Sequence, residues 1–139
     1  MRKKIIAGNW KMYKTLDETR AYFREFLPLV ADHNRDEIVV CPPYTDVAVA
    51  IELAARTNVA IGVQNVHWKA DGAYTGEISA PMLLCLGVTH VIIGHSERRQ
   101  YFGETDDTVN LRLKTALESG LTPICCVGEV LEEREAGAT

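Results

Sequence analysis

The chain has 139 residues, of which 47% are hydrophobic and 24% charged, and a formal net charge of −4. That is enough apolar material for one globular domain over residues 1–139 and excludes disordered and fibrous classes. The acidic balance speaks against nucleic-acid and membrane-surface partners, which need a basic stripe to displace counterions.

At the N-terminus, Met1-Arg2-Lys3-Lys4 precedes the apolar stretch Ile5–Gly8. That stretch is too short for a signal-peptide core and no span is membrane-length, so a cytoplasmic location is expected. Five Val- and Ile-rich runs then read as strands: Lys4–Ala7, Ile38–Cys41, Val59–Val63, His90–Ile93 and Thr122–Val127. They are nearly continuous in hydrophobicity, the pattern of strands buried on both faces of a parallel sheet covered by helices.

Helical segments alternate with them. Thr15 and Glu18 form a capping box ahead of Leu16, Phe23, Phe26, Leu27 and Val30, with Pro28 expected to kink or end that helix. Thr45 is placed to cap a second helix over Asp46–Arg56. Ser79 is placed to cap a third, with Pro81 in its first turn and Met82-Leu83-Leu84 as its buried side. A helix beginning near Ser96 follows strand four. Thr105 opens a long helix closed by Gly120, and a last helix begins near Glu129. The strand–helix unit recurs every ~20–35 residues, the size of a βαβ repeat. The connection from Gln64 to Ser79 is far longer than the ~2–6 residues usual for such loops and therefore reads as functional.

Residues with chemistry fall after strand ends: Asn9 and Lys11, Gln64, His95, and Gly128-Glu129. In parallel α/β folds that edge is where ligands bind. Lys11 reads either as a solvated surface lysine or as a cation for an anionic substrate, and its place after a buried strand beside Asn9 favours the second. Asn9 also reads as a turn residue bonding its own backbone. His95 reads either as a core histidine satisfied by backbone or as a functional imidazole. A helix start beyond it disfavours the imidazolium form, and Glu97 is available to pair with Lys11. Ser96 reads as an N-cap and Arg99 as part of a solvated helical turn. Asp106-Asp107 complements a helix start without further role.

Cys41, Cys85, Cys125 and Cys126 read as small core residues, since none forms a C-x-x-C pair, and the four histidines lack zinc-ligand spacing, so no metal is expected. Gly94-His95-Ser96-Glu97-Arg98 has arginine where a nucleophile elbow needs glycine. Neither phosphate-cradling glycine motif is present, which argues against a dinucleotide or P-loop site.

Four segments together resemble the triosephosphate isomerase family in order and spacing: Ala7–Met12, Gly72–Ser79, Ile93–Arg99 and Cys126–Glu129. The resemblance runs from end to end of the chain. It implies a parallel (β/α) TIM barrel, here incomplete, with the first five strands and the start of the fifth helix out of a barrel of ~250 residues. It also implies interconversion of dihydroxyacetone phosphate and glyceraldehyde 3-phosphate through an enediol(ate), without metal or organic cofactor. The family is itself the standing example of a neutral histidine electrophile working with a glutamate base. Carried over, His95 would be that electrophile, Lys11 would stabilise substrate and oxyanion, and Asn9 would help orient the substrate. Glu97 would position Lys11, with Ser96 and Gln64 in support. Tyr74, Thr75, Gly76 and Glu77 would form a dimerisation loop, with Tyr101 and Phe102 near the same homodimer interface.

No acid in the chain matches the family's catalytic glutamate, and its lid and phosphate loops are expected beyond Thr139. The expectation is therefore that the chain alone neither isomerises triose phosphates nor folds as a stable monomer. A non-catalytic half-barrel that binds phosphorylated ligands or assembles with copies of itself is the alternative. A complete doubly wound domain is a third reading, separable by strand order.

Overall fold

Nearly continuous hydrophobic runs along the strands give the sheet two apolar faces, and the helices take one of them. The computed structural model describes residues 3–129 and 131–137, so the lead-in at Met1 and Arg2, position 130 at the last helix, and the terminus at Ala138 and Thr139 lie outside the described residues. The elements are β1 (Ile5–Asn9), α1 (Leu16–Val30), β2 (Glu37–Cys41), α2 (Tyr44–Ala54), β3 (Val59–Val63), α3 (Ala80–Leu86), β4 (His90–Ile93), α4 (Ser96–Tyr101), α5 (Asp106–Ser119), β5 (Thr122–Cys125) and α6 (Leu131–Glu135).

The five strands pair in the order β1-β2-β3-β4-β5, all parallel. Sequential neighbours without reversal make an arc of a barrel and exclude the doubly wound reading, which needs a switch point. Val40, Ile61, Val91 and Ile93 join Phe23, Val47, Leu83, Val109 and Ala116 in the main core beneath the helices. Val39, Cys41 and Ile92 point the other way, into a smaller cluster with Ile5, Ala60, Ile124 and Cys126.

Burial on both faces holds only for the central strands. Ile6 is 57% exposed and β5 has no buried residue, because each outer strand has one neighbour among the described residues and the inner face lacks an opposite wall.

Local starts and stops follow their caps with three corrections. The Thr15 N–H donates to Glu18 Oε2 at 2.7 Å, as a capping box requires, but Pro28 does not end α1; the helix continues to Val30. Helix α2 begins at Tyr44, with Pro43 as its N-cap and Thr45 inside it, and closes at Ala54 before Arg56 turns left-handed at φ 62°. Ser79 occupies the N-cap position of α3 but its hydroxyl makes no cap hydrogen bond, and of Met82-Leu83-Leu84 only Leu83 is buried. Successive helical residues rotate by ~100°, so three in a row cannot share one face. Helix α5 lies between its Thr105 N-cap and Gly120, whose φ of 84° is the left-handed conformation of a helix stop.

Candidate active site

Parallel register brings the strand ends level, with Asn9 opposite Cys41 and Ile93 opposite Cys125. The loops that follow therefore meet at one rim. Lys11 stands two residues beyond β1 with φ 55°, a conformation costly for a residue with a side chain. Two contacts hold it. The Lys11 N–H donates to Asn9 Oδ1 at 2.9 Å, so the turn expected of Asn9 is present and bears directly on the lysine. Gln64, just past β3, donates from Nε2 to Lys11 O and to Cys41 O, both at 2.9 Å. From this clamped loop the Lys11 ammonium reaches Glu97 Oε1 at 2.6 Å. The hydrogen bond to Glu97 raises the lysine's pKa, and the same bond lowers that of the glutamate.

His95 enters from β4. Gly94, at φ 73°, turns the chain off the sheet, and His95 becomes the N-cap of α4. Its Nδ1 accepts the Glu97 N–H at 3.2 Å, while Glu97 Oε2 lies further off at 3.5 Å. An imidazole whose Nδ1 accepts carries its proton on Nε2, so that nitrogen is left as a donor. The ring side chain is 23% exposed, open enough to meet a ligand. Glu97 thus touches both the cation and the imidazole. The arrangement offers an ammonium for an anion and an N–H for a carbonyl oxygen, the pair of groups needed to stabilise charge developing on that oxygen.

Three comparisons bear on this geometry. The model of the triosephosphate isomerase family matches residues 4–139. The chain belongs to the triosephosphate isomerase family. It is 59% identical to the triosephosphate isomerase of Solibacter usitatus over 139 residues, covering 100% of the chain and 56% of that protein. Against the enzyme of Trichormus variabilis identity is 54%, covering 100% of the chain and 58% of that protein. The crystal structure of triosephosphate isomerase from Bartonella henselae superposes with a TM-score of 0.90 at 40% identity, over 98% of this chain and 56% of that one. The chain therefore spans somewhat over half the length of these relatives, and its sheet is the corresponding part of a TIM barrel.

Lys11, Glu97, His95, Asn9 and Gln64 come together through the hydrogen bonds described above. Ser96 is the exposed first residue of α4 rather than its cap, a place His95 itself takes, and no hydrogen bond of its hydroxyl occurs among the described residues. The loop from Gln64 to Ser79 is ordered from within. His67 N–H donates to Ile78 O at 2.8 Å, the His67 ring lies between Trp68 and Tyr74, and Gly76 takes φ 88° beside the exposed Thr75. Glu77 lies 3.6 Å from the Arg112 guanidinium. Tyr101 and Phe102 are both exposed. Glu129 leaves the rim to pair with Arg134 at 2.6 Å.

Sequence reasoning missed the arginines. Arg112, on the buried side of α5, donates to Val66 O at 2.6 Å and lies 3.0 Å from Glu104, which also binds Arg98 at 2.7 Å. A charged residue in register with Val109 and Ala116 was the available signal. Nor are all four cysteines core residues. Cys41 is buried, with burial pushing its thiol up to about 12, whereas Cys85 and Cys125 are exposed on the outer face of α3 and on the edge strand.

Proposed function

We propose that this chain supplies the carbonyl-polarising part of a triose-phosphate isomerase, acting on dihydroxyacetone phosphate and glyceraldehyde 3-phosphate in glycolysis and gluconeogenesis in the cytoplasm. One observation carries the proposal: Glu97 binds the Lys11 ammonium at 2.6 Å while its backbone N–H holds His95 Nδ1, leaving Nε2–H to donate. His95 donates to the substrate carbonyl as a proton is removed from the adjacent carbon, and the negative charge gathers on that oxygen. Lys11 faces the resulting enediolate and the anionic substrate, and Asn9 orients both. His95 passes its Nε2 proton to that oxygen and takes up the proton of the neighbouring hydroxyl, so that the carbon-bound proton then returns to the former carbonyl carbon and the carbonyl is left on its neighbour. No cofactor enters the sequence. The base that moves the carbon-bound proton is a family glutamate that no acid of this chain matches, so these residues alone are inactive and work within a complete, homodimeric barrel, with Tyr74–Glu77 at the subunit contact.

Mixing the purified chain with a fragment carrying the remaining barrel strands tests this. Isomerisation appears, and His95→Ala abolishes it. Turnover that survives His95→Ala defeats the assignment. The open edges at β1 and β5 favour a second reading, a non-catalytic half-barrel that binds phosphorylated ligands or assembles with itself. A stable complex without any isomerisation would select it.

A further inference from the structure

We infer that Arg99 is a positioning residue that aims His95, an inference resting on the isomerase reading above. The β4–β5 ladder ends where Cys126 N–H donates to Ile93 O at 2.8 Å. The next carbonyl, that of Gly94, is the first beyond the sheet, and the peptide it belongs to sets the direction in which His95 leaves. Arg99 takes that carbonyl: its Nε donates to Gly94 O at 3.1 Å, and its own backbone N–H donates to His95 O at 3.2 Å. The guanidinium is aimed in turn by Asp106 at the start of α5, whose Oδ1 lies 2.7 Å from Arg99 Nη1.

The packing requires glycine beneath it. A Cβ on Gly94 would lie 3.3 Å from Arg99 Nη2 and 3.1 Å from Val109 Cγ1. Arginine suits the task because its planar fork reaches a carbonyl and a carboxylate together; lysine offers one charged centre for both. The Asp106 side chain is 94% exposed, so the ion pair adds little by itself and acts by orienting the fork. The turn that presents His95 is thereby tied to two helices rather than left to the permissive glycine alone.

The test uses the assembled barrel, with the His95 ring nitrogens read by 15N NMR alongside steady-state kinetics. In Arg99→Ala the two ring resonances move toward each other as the tautomer bias weakens, and kcat falls about 10- to 100-fold, as displacement of a reacting group by ~1 Å does, with KM within about twofold. Arg99→Lys recovers only part of both. A purely structural role predicts a lower Tm with unchanged ring resonances and kcat, and that result overturns the inference. Should Arg99→Ala fail to fold, Asp106→Asn decides, since it alters an exposed side chain: the same resonances shift in the same direction, and their constancy overturns the inference. Absence of turnover in the unsubstituted barrel defeats the isomerase reading instead, while the ring resonances still report on Arg99.

Discussion

Glu97 links Lys11 to His95, and its charge sets the titration of the lysine. Its carboxyl is lowered from the ordinary value of 4.5 by the hydrogen bond to Lys11, and the Lys11 ammonium is raised from 10.5 by the same bond. The glutamate's share of the pairing is complete above pH 4.5 and is lost as pH falls through its lowered pKa. The lysine's share is complete below pH 10.5 and is lost as pH rises through its raised pKa. The pair therefore stays intact across the whole interval between. Glu97→Gln shifts the Lys11 titration, followed by the 13Cε resonance, to lower pH, and lowers kcat/KM of the assembled enzyme about tenfold through loss of lysine placement. An unmoved Lys11 titration contradicts the argument. Gly94 is the second decisive residue. Its φ of 73° and the 3.1 Å approach of Val109 Cγ1 mean that Gly94→Ala costs about 1–3 kcal/mol, measurable by urea unfolding of the assembled barrel.

Between elements, Arg112 joins α5 to the end of β3. It is buried, donates to Val66 O at 2.6 Å, and lies among Glu104 and Glu77. Removing it leaves the Val66 carbonyl unmatched and the buried Glu104 carboxylate with Arg98 as its remaining guanidinium partner. Arg112→Leu is expected to cost about 1–3 kcal/mol in unfolding free energy and to expose the Gln64–Ser79 loop to protease. A loss below ~1 kcal/mol would mean that water satisfies those groups as well as the arginine does. The elements themselves were readable from local chemistry. Strands β3 and β4 fall at Val59–Val63 and His90–Ile93 as their apolar runs indicate, and α5 lies between its Thr105 cap and Gly120. Helix α2 was misplaced by two residues because Pro43, at φ −55°, already sets the entry that Thr45 was expected to make.

Across the whole arc, β1 and β5 have no outer partners among the described residues, and Ile6 is exposed on β1. A preparation of these residues alone is predicted to self-associate, with a sedimentation coefficient that rises with concentration and a complementing fragment reversing the rise. A monodisperse monomer with a cooperative unfolding transition would contradict this. The sequence by itself determined the strand–helix alternation, the rim on which Asn9, Lys11, Gln64 and His95 lie, and the family, because hydrophobic period, caps and motif spacing are local properties of the chain. Only the tertiary structure decided that Met82 and Leu84 face outward, that the outer strands are half-bare, and that Arg99 and Arg112 are tethers rather than solvated charges. The half-bare strands and the Arg112 tether depend on partners distant in the chain, as Val66 is from Arg112, and even Arg99, whose partners Gly94 and Asp106 are near in sequence, meets them only because of how the chain turns off the sheet.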